Sequence, residues 1–354
     1  MTKRSTSVTI RDVAREADVS VATVSRYLNQ NAPVSEALSA RIQKVMDKLD
    51  YVPESAARHL ALRKKNTIGL LVTNLHTDFF APLLAGIEGE VYEQGYNLLV
   101  ATCRPNLTSD YDFPVGRHNT DGLLIFADSL NDDQIAKFHK SRFPLVLIHK
   151  TPSDGQNIPF VTIENKAATY RLVDHLIVEH SCRRIVLMRG RQQQEDSYWR
   201  EVGFQAALAD HDIPFDEDLV LCGSFEREVA FKSLSAFLKD PAHPAFDAIF
   251  AGDDEAAIGV YKALKAAGLR IPEDVAVVGF DDSRMAPFLT PPLTTVRAPT
   301  EEVGRSAAQQ LFYMLEGENP QPVTLHHTEI ILRASCGCHV ETSLAKKEVK
   351  SIAN

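Results

Sequence analysis

Arg26 is the side chain whose chemistry is most specific. A guanidinium can donate two parallel hydrogen bonds to guanine O6 and N7, a contact that separates one base from another by roughly 1–3 kcal/mol. Close by stand Thr23, Ser25 and Asn29, short polar groups suited to phosphate oxygens. Val21 and Ala22 are small and apolar, able to meet a thymine methyl but not to donate a hydrogen bond. Enzymatic motifs are missing: there is no HExxH, GxSxG, GxxxxGK[ST] or strand-linked GxGxxG. No catalytic activity and no cofactor are therefore expected. Cys336-Gly337-Cys338-His339 has the residue types of a metal site, but no second ligand pair lies at a suitable spacing, so no metal is expected.

The elements that must carry Arg26 are two short helices within residues 8–29, VTIRDVAREADVSVATVSRYLN. Thr9 can cap the first, with Asp12 three positions on where a carboxylate suits the helix start. Ile10, Val13, Ala14 and Ala17 keep the i, i+3, i+4, i+7 spacing of one apolar face. Asp18-Val19-Ser20 breaks that pattern, and Ser20 is a good N-cap for a second helix over residues 21–28. This second helix turns Val24 and Leu28 inward and leaves Arg26 and its polar neighbours outside. The spacing predicts a helix-turn-helix, whose second helix enters the DNA major groove. After Pro33, Ser35 caps a third helix whose stripe of Leu38, Ile42, Val45 and Leu49 closes a small core. Residues 54–62, ESAARHLAL, favour a helix but have little apolar area to bury, so alone it is marginal.

These stretches together, VTIRDVAREADVSVATVSRYLN, PVSEALSARIQKVMDKLDYVP and ESAARHLA, resemble the N-terminus of a lactose/galactose-repressor (LacI/GalR) regulator. The resemblance implies a DNA-contact set of Thr9, Ser20, Val21, Ala22, Thr23, Ser25, Arg26, Asn29, Ala57 and Leu60. It makes residues 54–66 a hinge and linker that becomes helical on the operator, with Leu60 wedged into a central base step from the minor groove. It also implies a homodimer on palindromic double-stranded DNA.

Charge fits that division. Of the net −9, residues 1–65 carry +5 and the remainder −14. A basic head on an acidic body suits a head that binds phosphate and a body that is repelled by it. The five cysteines are scattered and odd in number, so no disulfide framework is expected. No apolar run approaches bilayer length and the first thirty residues lack an apolar signal core, so a soluble, cytoplasmic protein without membrane partners is expected.

Beyond residue 66 short β-rich runs alternate with amphipathic helices in two series. The first includes strands at residues 67–72, 96–101, 122–126 and 145–149, the second strands at residues 185–189, 219–222, 248–251 and 275–279. Two series of β-α units predict two lobes, each a parallel sheet covered by helices on both faces. Residues 160–164 and 291–296 are the expected crossings, residues 300–316 a further helix and residues 328–332 a closing strand. The expected domains are a helix-turn-helix head (1–53), the hinge (54–66), a two-lobed body (67–338) and a disordered tail (339–354). The body resembles the family's periplasmic-binding-protein-like effector domain, with PPLTTV and LRASCG as its closest motifs. PNLTSDYDFPVGRHNTD departs from it, since Pro105, Pro114 and Gly116 should shorten or remove a family helix.

The resemblance places an effector cleft between the lobes and assigns it Phe79, Phe80, His149, Arg200, Phe225, Asp253 and Asp281. Carboxylates, an arginine and aromatic faces are groups that hold sugar hydroxyls and ring faces, so a carbohydrate effector is expected. His149 stands where Asp is commoner. Arg200 and Asp281 are expected on opposite sides of the cleft. Arg200→Ala is then expected to fold normally and to need at least about ten times more effector. Trp199, beside Arg200, should turn into the core, and His326-His327 should end a solvated loop. A purine or other co-repressing metabolite is the alternative ligand class. A solute-binding protein without a DNA role is disfavoured by the head, and a sugar-processing enzyme by the missing motifs.

Overall fold

The computed structural model describes residues 8–29, 33–51, 64–103, 113–191 and 194–338. The expectations for Ala57, Leu60, the hinge and the tail lie outside the described residues. The chain divides between Lys65 and Asn66 into two compact units.

The head holds helices α1 (Ile10–Glu16), α2 (Val21–Asn29) and α3 (Glu36–Lys48). Asp12 accepts from the backbone N–H of Thr9 at 3.0 Å and from its hydroxyl at 2.7 Å. Ser20 Oγ accepts from the N–H of Thr23 at 3.1 Å, fixing the start of α2. Asp18 takes φ +51° in the turn between them, a left-handed position that Asp tolerates through local hydrogen bonding. Val13, Ala14, Ala17, Val24, Ile42 and Met46 form the buried core, with Leu28, Leu38, Val45 and Leu49 packed around it. Met46 takes one of the two innermost positions of α3, where the sequence pattern had placed only the Leu/Ile/Val stripe.

The body contains two parallel sheets. Lobe one has six strands: β1 (Thr67–Val72), β2 (Asn97–Thr102), β3 (Gly122–Phe126), β4 (Leu145–Ile148), β5 (Phe160–Ile163) and β11 (Val323–His326), in the order β11-β5-β4-β3-β1-β2. Every pairing in it is parallel. Its strands β1, β3 and β4 are buried almost throughout, as befits a sheet covered on both faces. Lobe two has β6 (Ile185–Arg189), β7 (Val220–Cys222), β8 (Ala248–Phe250) and β9 (Ala276–Val278), all parallel, in the order β7-β6-β8-β9. The chain leaves lobe one after β5 into helix α6 (Asn165–His180), which packs on α7 (Glu195–Asp210). It returns through β10 (Thr295–Arg297) into α10 (Thr300–Glu316), packed on α4 (Phe80–Glu93) of lobe one. A third crossing joins β11 to β12 (Glu329–Ile331), which pairs antiparallel with β10.

Two readings of the sequence change here. His326 ends strand β11, where it bonds Ser306 Oγ at 3.1 Å, while His327 is exposed and bonds Glu164 at 2.7 Å. The four residues of β11, alternately exposed and half-buried, were too few to show a strand period. Trp199 is 39% exposed and donates to Glu195 at 3.1 Å, so it does not enter the core. Among the described residues 113–121 there is no helix, and residues 104–112 lie outside the description.

Candidate functional site

In the head, α2 presents Val21, Ala22 and Arg26 to solvent, while Val24 is fully buried. Thr23 and Ser25 are half-buried beside them. The Thr23 hydroxyl lies 2.8 Å from Ser20 Oγ, so both hydroxyls help cap α2 as well as facing outward. Thr9 and Ser20 stand exposed at the N-termini of α1 and α2, where free N–H groups and the helix dipole favour a phosphate. Asn29 is the last residue of α2. Tyr27 of α2 is tied to Gln43 of α3 at 2.7 Å, and Glu16 of α1 to Lys48 of α3 at 2.7 Å, so both helices are fastened to the third.

In the body, a cleft lined by both polar and aromatic side chains opens between the lobes. All seven residues assigned by the sequence line it: Phe79, Phe80, His149, Arg200, Phe225, Asp253 and Asp281. Lobe one supplies the aromatic wall. Phe79 and Phe80 start α4, and the Phe79 ring lies 5.6 Å from Phe126 and 5.9 Å from His149. His149 follows β4 at φ +56° and is 2% exposed. Its Nδ1 meets Asp196 at 3.1 Å, while its Nε2 is buried with no partner among the described residues. A buried imidazole nitrogen left this way costs free energy unless something else bonds it.

Lobe two supplies the charges. Gly203 allows α7 to approach α6 so closely that a Cβ there would stand 2.3 Å from Lys166 O. That close packing seats Arg200 at 5% exposure. Its guanidinium donates to Asn165 Oδ1 at 2.9 Å, Gly252 O at 2.8 Å and Asp281 Oδ1 at 3.4 Å. The same group lies over the Phe280 ring at 3.7 Å and near Phe225 at 5.2 Å. Arg200 and Asp281 therefore do not face each other across the cleft: both belong to lobe two and touch, because α7 and the loop after β9 meet there. Asp253 caps helix α9 (Asp254–Ala266) by accepting from the N–H of Ala256 at 2.8 Å.

Burial dominates the carboxyls. It raises Asp281 to about 6 against the pull of Arg200, and raises Asp253 well above the usual range, with Asp281 adding to the shift. Asp196 goes the other way: burial raises it, but His149, Arg200 and Asn165 outweigh that and hold its carboxyl low.

Sequence reasoning missed Glu195 and Asp196. Asp196 receives His149 of lobe one and Asn165 Nδ2 at 2.6 Å. Glu195 receives the N–H of Thr151 at 2.6 Å and its hydroxyl at 2.5 Å. Both bridge the lobes beside the cleft. The available signal was the acidic pair at the first turn of α7, with Asp196 one helical turn before Arg200.

A helix-turn-helix head followed by a two-lobed α/β body with a polar, aromatic-walled cleft defines a ligand-responsive DNA-binding regulator. The chain belongs to the LacI family of bacterial regulatory proteins. The family model described as "Bacterial regulatory proteins, lacI family" matches residues 9–54, and that described as "Periplasmic binding protein-like domain" matches residues 173–336. The ribose operon repressor of Escherichia coli (strain K12) is 31% identical over 332 residues, covering 92% of this chain and 98% of its own. The solved "transcriptional regulator CelR-cellobiose complex" is 29% identical, covers 93% of this chain and 99% of its own, and gives a TM-score of 0.66. A LacI family transcriptional regulator from Enterococcus faecium with bound ribose is 28% identical, covers 76% and 98%, and gives a TM-score of 0.67. Among the described residues no helix is long and apolar enough to cross a membrane.

Proposed function

We propose that the protein is a cytoplasmic transcriptional repressor that binds a palindromic operator as a homodimer and releases or tightens it when a sugar fills the interlobe cleft. The unpartnered Nε2 of His149 carries the ligand half of this reading. It sits in the cleft between an aromatic wall and the Arg200–Asp281 pair, where a sugar hydroxyl can bond it while a ring face lies on Phe79. The sugars named for two relatives, ribose and cellobiose, belong to the same ligand class. The switch follows from where the contacts lie. Lobe one reaches lobe two through His149–Asp196 and Thr151–Glu195, so a ligand bonding His149 favours one relative setting of the lobes over another. Only such differential affinity can move the equilibrium of the DNA-binding state.

The test is a gel shift on palindromic operators with candidate pentoses, hexoses and disaccharides. Trp199, the single tryptophan, bonds the cleft residue Glu195 and reports binding by fluorescence in the same samples. Sugar-independent operator binding, with no fluorescence change for any sugar, sinks the ligand reading; loss of specific operator binding sinks the regulator reading.

Arg26→Ala is expected to relax base preference at one position of each half-site, by about 1–3 kcal/mol, while the salt slope falls by about one unit or less. Affinities for operator variants at several salt concentrations check this. A uniform loss over all variants would make Arg26 a phosphate contact.

A pH dependence follows from Asp281. Below about 6 its carboxyl is protonated, loses its charge and turns one oxygen from acceptor to donor. Effector affinity is therefore expected to be full above that value and to fall as pH drops through it, by up to about tenfold per unit. Calorimetric titrations between about pH 5 and 8 should show this slope in wild type and a shallower one in Asp281→Asn, where the raised carboxyl of Asp253 remains.

A further inference from the structure

The Cys-Gly-Cys turn at residues 336–338 closes onto the C-terminal end of α6, away from the cleft. His175 and His180 stand there five residues apart. The Nε2 atoms of the two histidines are 3.2 Å apart, and Cys338 Sγ lies 3.4 Å from each of them. Cys336 Sγ is 3.8 Å from His175 Nε2. All four donor atoms lie within 4.8 Å of one another.

These distances can be set against a metal's demands. A tetrahedral zinc holds imidazole nitrogens at about 2.0–2.1 Å and thiolates at about 2.3 Å. Its edges are then about 3.3 Å between nitrogens, about 3.6 Å between nitrogen and sulfur and about 3.8 Å between sulfurs. Four of the six separations, 3.2, 3.4, 3.4 and 3.8 Å, lie close to these edges, and the set as a whole stays within 4.8 Å. As a hydrogen-bond network the same four groups are poorly suited, since thiols are weak donors and weak acceptors. Two thiolates and two imidazoles in a tetrahedron select zinc among the common ions, and four protein ligands leave no open position for catalysis.

The surroundings orient the ligands. Thr294 Oγ1 donates to Cys336 Sγ at 3.1 Å, and Cys336 is 2% exposed. Gly337 adopts φ +101°, and a Cβ there would press on the His180 ring at 3.1 Å. Only glycine lets the two cysteines turn back onto the helix this closely. Ser335 anchors the same turn to β9 through Val277 O at 2.6 Å.

We propose that His175, His180, Cys336 and Cys338 form a structural zinc site that fastens the C-terminal end of the body to α6. The expectation of no metal rested on local spacing around Cys336. The fold brings a second pair from about 160 residues away, where no spacing rule could find it.

The experiment strips the full chain with a chelator under reducing conditions and reloads it with Zn²⁺ alone, then with Co²⁺. Elemental analysis should give one zinc per chain, and the cobalt form the intense absorption of tetrahedral thiolate coordination. Chelation should lower the melting temperature of the wild-type chain by several degrees, restored by zinc. Cys338→Ser and His175→Gln should each lose stoichiometric metal while circular dichroism shows a folded body. Folded wild-type protein that takes up no stoichiometric zinc overturns the proposal whatever the variants do. Stoichiometric zinc retained in both variants, or a Cys336–Cys338 disulfide in protein freshly isolated under reducing conditions, overturns it too.

Discussion

Arg200→Ala is expected to destabilise the body by about 3–5 kcal/mol, the cost of breaking a buried ion pair by removing one partner. Arg200 bonds three groups and stacks over Phe280, and it lies beside three carboxyls, Asp253, which is buried, and Asp196 and Asp281, which are half-buried. Alanine leaves the charge on that side uncompensated and opens a hole against two aromatic rings. The sequence reading, in which the variant folds normally and merely needs more sugar, treats the arginine as a free ligand grip; its burial and bonding argue against this. Arg200→Lys keeps a charge but loses the planar fork that reaches Asn165, Gly252 and Asp281 together, so it should recover only part of the stability. The loss should also be smaller near about pH 5 than near about pH 8, because below about 6 Asp281 already carries a proton and leaves less charge for the arginine to compensate. Urea denaturation of the three proteins at both pH values measures all of this. Wild-type stability in Arg200→Ala would return the residue to a purely ligand-binding role.

The sequence showed some parts of this molecule and hid others for physical reasons. Strand β1 was legible to its ends because a short, mostly apolar run with Thr67, Ile68 and Val72 follows a charged linker. The two parallel sheets followed from the β-α alternation. The helix-turn-helix was legible because its caps, its apolar face and its turn are all local. The seven cleft residues were placed through the family resemblance, motif by motif, and all seven line the cleft. Features built by residues distant in sequence were invisible. The pairing of β11 with β5, the bridges from Glu195 and Asp196 to lobe one, and the meeting of His175 with Cys338 all depend on tertiary closure. Even Arg200 and Asp281, which line one cleft, were expected on opposite walls, since no local signal says that α7 and the loop after β9 converge.

Gly86→Ala is expected to destabilise lobe one by about 3 kcal/mol or more, while Gly89→Ala, three residues along the same helix, stabilises it by about 0.5–1 kcal/mol. The difference lies wholly in what a methyl group meets. At Gly86 a Cβ would stand 1.9 Å from Glu301 O and 2.9 Å from Arg305 N, both backbone atoms of α10. Gly304 answers from the other helix, its Cβ position 2.3 Å from Leu83 O. The two helices therefore touch backbone to backbone, and no side-chain rotation can relieve the overlap. They must move apart, which loosens Leu83, Ile87, Val303 and Ala307, all fully buried at the seam. At Gly89 nothing lies within 4 Å, so alanine there only removes the backbone freedom that glycine has in the unfolded chain. The first change also reaches function, because α4 begins with Phe80 and follows Phe79. If its axis is displaced, the aromatic wall of the cleft shifts with it. Effector affinity should fall in Gly86→Ala and stay unchanged in Gly89→Ala, as Trp199 fluorescence titration alongside thermal denaturation can show. Equal stability in the two variants would mean that α4 and α10 yield more easily than their contact distance implies. Lost stability with unchanged effector affinity would separate the helix seam from the cleft it is argued to hold.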